Sequence, residues 1–270
     1  MYFISKPSVE DCITECRTIT EIANYYHPLC NRIFSDYQTK ISKNEYCVGG
    51  ECIHRGYYCP DIISDIVIGN LTRGRLYKNI VPHNPTYIYG FDKNGNLLTV
   101  QKTDENGYCE YEIIIPDNQK EIGITFSVFE GQTEITSISV CEYKEDRIVS
   151  YSNFLIDSFD NSIMDFKSHN YKYSECNMSV RCCRFMNTHS RADDLINNNE
   201  IKTTFDDFLN YLDIPADLIK INSPTVRCEV YDFKITDGYL NSYTVRDIEN
   251  EDATDNTVYK VNLRRKVITV

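Results

Sequence analysis

The sequence has no tryptophan, no basic stripe apart from Arg264-Arg265-Lys266, and no long apolar run. A membrane-spanning helix needs about twenty consecutive apolar residues, so no span of that kind is expected. The first residues, Met1-Tyr2-Phe3-Ile4-Ser5-Lys6, lack a basic stretch followed by an apolar one, and no secretory leader is read there. A cytoplasmic protein is the expectation. With 40 acidic against 28 basic side chains the formal charge is −12, and a phosphate polymer would be repelled by most of such a surface. Direct nucleic-acid binding is therefore disfavoured. The same acidity serves solubility or an electrostatic match to a basic protein partner.

Catalytic signatures are missing as well. The sequence contains no G-x-S-x-G elbow, no H-E-x-x-H, no phosphate-cradling G-x-x-x-x-G-K-[ST] and no G-x-G-x-x-G. The histidines, His27, His54, His83, His169 and His189, are dispersed. No cofactor is implied, and an enzyme would have to rest on a Cys-His pair assembled only by folding.

Cysteine, in contrast, is abundant: twelve residues scattered from Cys12 to Cys228 in a chain of 270. A chain of this length builds its own core without a disulfide scaffold, so most are expected to be buried thiols. Cys182 and Cys183 would face opposite sides of a strand and make a poor chelate. The one metal-like cluster is Cys47, Cys52, His54 and Cys59 within E-Y-C-V-G-G-E-C-I-H-R-G-Y-Y-C. Zinc accepts three thiolates and an imidazole, yet only the first gap fits a knuckle and no second knuckle follows. Unpaired thiols in a loop are the leading reading.

Asp92-Lys93-Asn94-Gly95-Asn96 opens like a calcium loop, with oxygen-bearing side chains at its first, third and fifth positions. Leu97 and Thr103 then stand where such a loop needs glycine and glutamate. Tyr87, Tyr89 and Phe91 before it, and Leu98 and Val100 after it, alternate as strands do, so Asn94-Gly95 is read as a hairpin turn.

The wider pattern gives an α+β chain: a helical N-terminal subdomain over residues 1–83 that includes the cysteine-containing loop, then an antiparallel β-rich domain over 84–270. Ser8 precedes Glu10 and Asp11 in the first turn of an expected helix carrying Cys12, Cys16, Ile19, Ala23 and Tyr26 at three- and four-residue spacing; Pro28 interrupts it, and Leu29, Ile33, Tyr37 and Ile41 fall on one face of a second helical stretch. From about residue 85 the period becomes two. Tyr111, Ile113 and Ile115 alternate with Glu110 and Glu112, and Ile122 to Val128 alternate with Glu121 to Ser127, predicting a meander that continues through Ile156. Asp157 to His169 is mixed in character. Thr203 or Thr204 can cap a short helix near 204–213, and strands are expected at Thr225–Ile235 and Thr257–Val270, around the acidic loop Asp247–Asp255.

The 21 tyrosines include Tyr25-Tyr26, Tyr57-Tyr58 and the pair Tyr171 and Tyr173, candidates for a binding surface, although low-GC coding enriches tyrosine in the same way. The phrase Y-G-F-D-K-N-G-N-L-L-T-V and the alternation after it, residues 85–128, resemble the opening of β-meanders in bacterial immunity proteins, cytosolic partners that neutralise polymorphic toxins. The resemblance implies a non-enzymatic protein that binds a basic toxin domain and covers its active site. No catalytic residue carries over. The acidic positions singled out for such a surface are Glu110, Glu112 and Glu121 in the meander and Asp247, Glu249, Glu251 and Asp252 near the end. The alternatives are an enzyme with a Cys-His site and a structural protein holding zinc through Cys47, Cys52, His54 and Cys59.

Overall fold

The computed structural model describes residues 6–67, 71–104, 107–145, 147–157, 162–186, 224–248 and 255–261. Helix α1 spans Val9–Tyr26. Its start is fixed by a reciprocal cap in which the Asp11 backbone N–H donates to Ser8 Oγ at 3.1 Å and the Ser8 backbone N–H donates to the Asp11 carboxylate at 3.1 Å. Two donors that no helical turn could satisfy are satisfied there. Cys12, Cys16, Ile19 and Ala23 form the buried stripe, as their spacing requires. Pro28 begins a single 3-10 turn, His27–Leu29, where its missing N–H is not needed, and α2 follows over Cys30–Gln38. Among the described residues no helix is long and apolar enough to cross a membrane.

The rest of the described chain is dominated by one antiparallel sheet of thirteen strands. The first are β1 (Lys43–Val48), β2 (Arg75–Tyr77), β3 (Tyr87–Phe91), β4 (Leu97–Thr103), β5 (Cys109–Asp117), β6 (Lys120–Phe129) and β7 (Gln132–Lys144). There follow β8 (Arg147–Ile156), β9 (Ile163–Tyr173), β10 (Asn177–Met186), β11 (Thr225–Thr236), β12 (Tyr239–Asp247) and β13 (Asp255–Lys260). From β3 to β13 each strand pairs with the next in sequence, while β1 inserts between β3 and β2. The α+β class and the meander thus stand, and the sheet already begins at Lys43, within the segment read as helical subdomain and loop. The helix expected near 204–213 lies outside the described residues, as does the chain after Val261.

The Asp92–Asn96 segment is a turn. Asp92 Oδ1 accepts the backbone N–H groups of Asn94 and Asn96, each at 2.8 Å, and Gly95 takes the left-handed conformation at φ 86°. The Asp92 carboxylate closes a five-residue loop in place of a two-residue one.

Each face of the sheet is covered differently. Helices α1 and α2 lie on the side where Ile113, Ile124, Phe126, Ile138, Phe154 and Phe185 are buried, which is the alternation read from β5 and β6 carried across the sheet. Full burial of each such side chain contributes about 1.5–3 kcal/mol. On this side Cys183 of β10 is disulfide-bonded to its register partner Cys228 of β11. The opposite face is covered by residues 49–67, including the short helix α3 (Ser64–Val67), and by 71–74 before β2. There Ile62, Ile63 and Ile66 pack on Tyr151, Tyr171, Val180 and Phe233.

Double coverage explains why β9 was read as mixed. Ile163 and Phe166 are buried on the helix side, across a register irregularity in the pairing with β8, and His169 and Tyr171 on the opposite side, so both faces are enclosed. Period two survives in a strand only when one face is wet.

Candidate functional site

The covering segment is pressed flat on the sheet around Gly56. A methyl group on Gly56 would lie 2.6 Å from the Tyr87 ring, so only glycine permits this approach. Tyr89 Oη donates to the Arg55 carbonyl at 2.8 Å and accepts the Tyr57 N–H at 3.1 Å, which anchors the peptide on either side of Gly56. Arg55, itself left-handed at φ 57°, is thereby held with its side chain directed into the covered face.

That guanidinium is buried with two carboxylates. Arg55 Nε donates to Glu112 Oε1 at 2.9 Å, Nη2 stands 2.8 Å from the same oxygen and donates to Ser139 Oγ at 3.2 Å, and Nη1 donates to Glu121. His54 Nε2 is 3.1 Å from Glu112 Oε1, and its Nδ1 is hydrogen-bonded to Tyr151 Oη at 2.9 Å. Gly123 makes room for the cluster: a methyl group there would collide with Glu112 Oε1, Arg55 Nη2 and Ser139 Oγ. Burial by itself would raise the Glu112 carboxyl, but the charges of Arg55 and His54 outweigh it and hold the group at about 2. Against the desolvation of a wholly buried group, Glu112 and Glu121 hold the Arg55 guanidinium above its ordinary value.

A second ion pair lies further along this face. His169 Nδ1 is 2.9 Å from Asp61 Oδ1, and that oxygen also accepts from Tyr171 Oη at 2.8 Å and from the Ile63 N–H at 3.1 Å. Desolvation would favour neutral imidazole, yet Asp61 and the Cys182 sulfur beside it push His169 up to about 10. Asp61 is correspondingly held well below the usual carboxylate range, burial being overcome by His169 and by Lys167 nearby. Tyr151 separates the two clusters, its ring stacked 6.0 Å from His54 and edge-on 6.4 Å from His169. Arg73 closes the far end of the cover, donating to the Cys59 carbonyl at 2.6 Å and pairing with Asp65 at 3.2 Å.

Beside the first cluster opens a cleft of about 230 Å³, lined by Glu51, Cys52, His54, Lys102, Glu110 and Leu155 among others. Two sets of residues singled out in the sequence for separate reasons, the meander acids and the cysteine-histidine loop, meet there. Comparison with known proteins gives nothing to set beside this arrangement: no family model, no curated protein and no solved structure matches the chain.

The individual expectations fare differently. Glu110 lines the cleft, paired across the strands to Lys102 at 3.1 Å. Glu112, expected on an acidic surface, is instead 4% exposed, because the cover places Arg55 on it. Glu121 is likewise drawn into the Arg55 cluster. Asp247 lies on β12 opposite Glu229, away from the others, and Glu249, Glu251 and Asp252 fall outside the described residues. The four candidate zinc ligands do not converge. Cys47 is buried with its thiol toward the Gly49 and Arg73 carbonyls, Cys52 is exposed, Cys59 is buried, and both His54 nitrogens are hydrogen-bonded. Among the described residues no group of three or more His, Cys, Asp or Glu side chains is placed to hold a metal ion.

Of the tyrosine candidates, Tyr25 and Tyr57 are exposed, whereas Tyr171 and Tyr173 are engaged with Asp61 and the Ile148 carbonyl. Sequence reading missed Arg55 and Asp61 altogether and took Cys182 only as half of a poor chelate. The two carboxylates on Arg55 lie 57 and 66 residues away and the imidazole on Asp61 belongs to a distant strand, and no local period marks such contacts.

Proposed function

We propose that this chain is a non-enzymatic binding protein that covers a basic protein partner, in the mode of the immunity proteins its meander resembles. The observation that supports the reading is the cleft, whose rim carries the exposed Glu51 and the half-buried Glu110 beside the exposed apolar side chain of Leu155. A lysine or arginine from a partner finds there carboxylates for its charge and an apolar wall for its stem. The formal charge of −12 adds long-range attraction to a basic surface, which speeds encounter and makes it sensitive to salt. The polar groups deeper in the site are neutralised by one another and serve as the rigid floor. A partner that attacks nucleic acid would offer such a surface, and the compartment of action on this reading is the cytoplasm.

Co-expression with the product of the adjacent gene, followed by co-purification at low and at high salt, tests the reading. A complex that weakens with salt and loses about tenfold or more in affinity on Glu51→Lys with Glu110→Lys is expected. Absence of any association at low salt would remove the proposal.

A further inference from the structure

On the same face, outside the cleft and independent of the partner reading, one cysteine is placed for chemistry. Cys182 of β10 stands directly opposite His169 of β9 in the antiparallel register, so the two side chains are neighbours on one face of the sheet. The other imidazole nitrogen, Nδ1, is fixed by Asp61 at 2.9 Å. Asp61 is fully buried, and its second oxygen, Oδ2, has no hydrogen-bond partner. Thiol, imidazole and carboxylate thus form a chain in which the carboxylate orients the imidazole and the imidazole adjoins the sulfur, the arrangement that activates nucleophilic thiols. Cys182 is partly exposed, unlike the fully buried thiols of the helix-covered core.

The surroundings define what could approach. One step along the strands, Lys167, Arg184 and Arg227 are register neighbours on β9, β10 and β11 and, by alternation, share the face of Cys182. Arg184 is partly offset by Asp165 at 2.5 Å. On the other side stand Val180 and the ring of Tyr231, and across β11 Glu229, which accepts from Tyr231 Oη at 2.7 Å and opposes a thiolate. With His169 paired to Asp61 and Arg184 to Asp165, Lys167 and Arg227 face Glu229 and, opposite it on β12, Asp247.

We infer that Cys182 is a nucleophilic thiol, oriented by His169 and Asp61, that forms a covalent adduct with small alkylating electrophiles. In that step the thiolate sulfur forms a bond to the electrophilic carbon, the leaving group departs with its electron pair, and the displaced thiol proton resides on His169. Nothing is oxidised or reduced.

The molecule carries its own controls, since Cys52 and Cys176 are free and exposed. The native protein is treated with limiting iodoacetate or iodoacetamide at pH 6 and at pH 8.5, and alkylation at each cysteine is followed by peptide mass analysis. Cys182 is expected to react about tenfold or more faster than Cys52 and Cys176 at pH 6, where ordinary thiols are protonated. His169→Gln should bring Cys182 to the rate of the controls, with circular dichroism and a cooperative melt confirming that the variant folds. If it does not fold, the comparison with Cys52 and Cys176 in the unaltered protein decides alone. Cys182 reacting no faster than those two at pH 6 overturns the inference.

Discussion

The two faces of the sheet show two ways of closing one core. Under α1 and α2 the covered side chains are apolar, and the cover announces itself through the spacing of Cys12, Cys16, Ile19 and Ala23. Under residues 49–67 the cover is irregular, and it brings Arg55 and Asp61 down onto Glu112 and His169 as well as three isoleucines onto tyrosine and phenylalanine. A helix satisfies its own backbone, so its inner face can be wholly apolar. A segment with little regular structure must place carbonyls and N–H groups against the sheet, and Tyr87, Tyr89 and Arg73 meet that need with hydroxyl and guanidinium hydrogen bonds. The polar cluster is the consequence of covering a sheet with a loop.

That contrast can be broken most severely at Arg55. Arg55→Ala leaves Glu112 buried without its main counter-charge, and a loss of about 3–5 kcal/mol in unfolding free energy is expected from denaturant titration. Replacing Arg55, Glu112 and Glu121 together by Met, Leu and Leu should recover most of it. If the single and triple variants are equally impaired, packing and not charge dominates this face.

Next in size is the dependence on pH. Glu112 is lowered from 4.5 to about 2, so its contribution is complete above its unfolded value and is lost as pH falls toward 2. His169 is raised from 6.5 to about 10, so its contribution is complete below 6.5 and is lost as pH rises toward 10. Melting temperature should therefore peak between pH 5 and 6.5 and decline on both sides. His169→Gln should remove the alkaline decline, and an unchanged profile in that variant would contradict the Asp61 pairing.

Gly123→Ala sharpens the comparison further, because only the polar face should feel it. The methyl group must displace Glu112, Arg55 or Ser139, at a cost of about 1–3 kcal/mol in chemical denaturation. On the helical face the smallest effect is expected from Ser8→Ala, about 1 kcal/mol, from loss of the reciprocal cap. Its value should not vary between pH 5 and 8 if the two faces are energetically separate.

Legibility in the sequence followed coverage. Strands β3 to β8 could be read because one side of each carries a regular apolar row, and the Asp92–Asn96 turn because its flanks alternate and its calcium positions fail. β9 was hidden by burial on both faces, and β1 and β2 by their shortness within a glycine- and cysteine-rich stretch. Of the site, Glu110, Glu112, Cys52 and His54 had been singled out, but for unrelated reasons and with Glu112 assigned to the surface.

The sequence by itself determined the helix pair, the meander and the net charge, since each depends on spacing or composition within one segment. Folding alone brings residues 49–67 back over the sheet, sets Arg55 against Glu112, and places His169 between Asp61 and Cys182. Those contacts join residues far apart in sequence, and they become favourable only once the sheet has paid the entropy of assembling their strands.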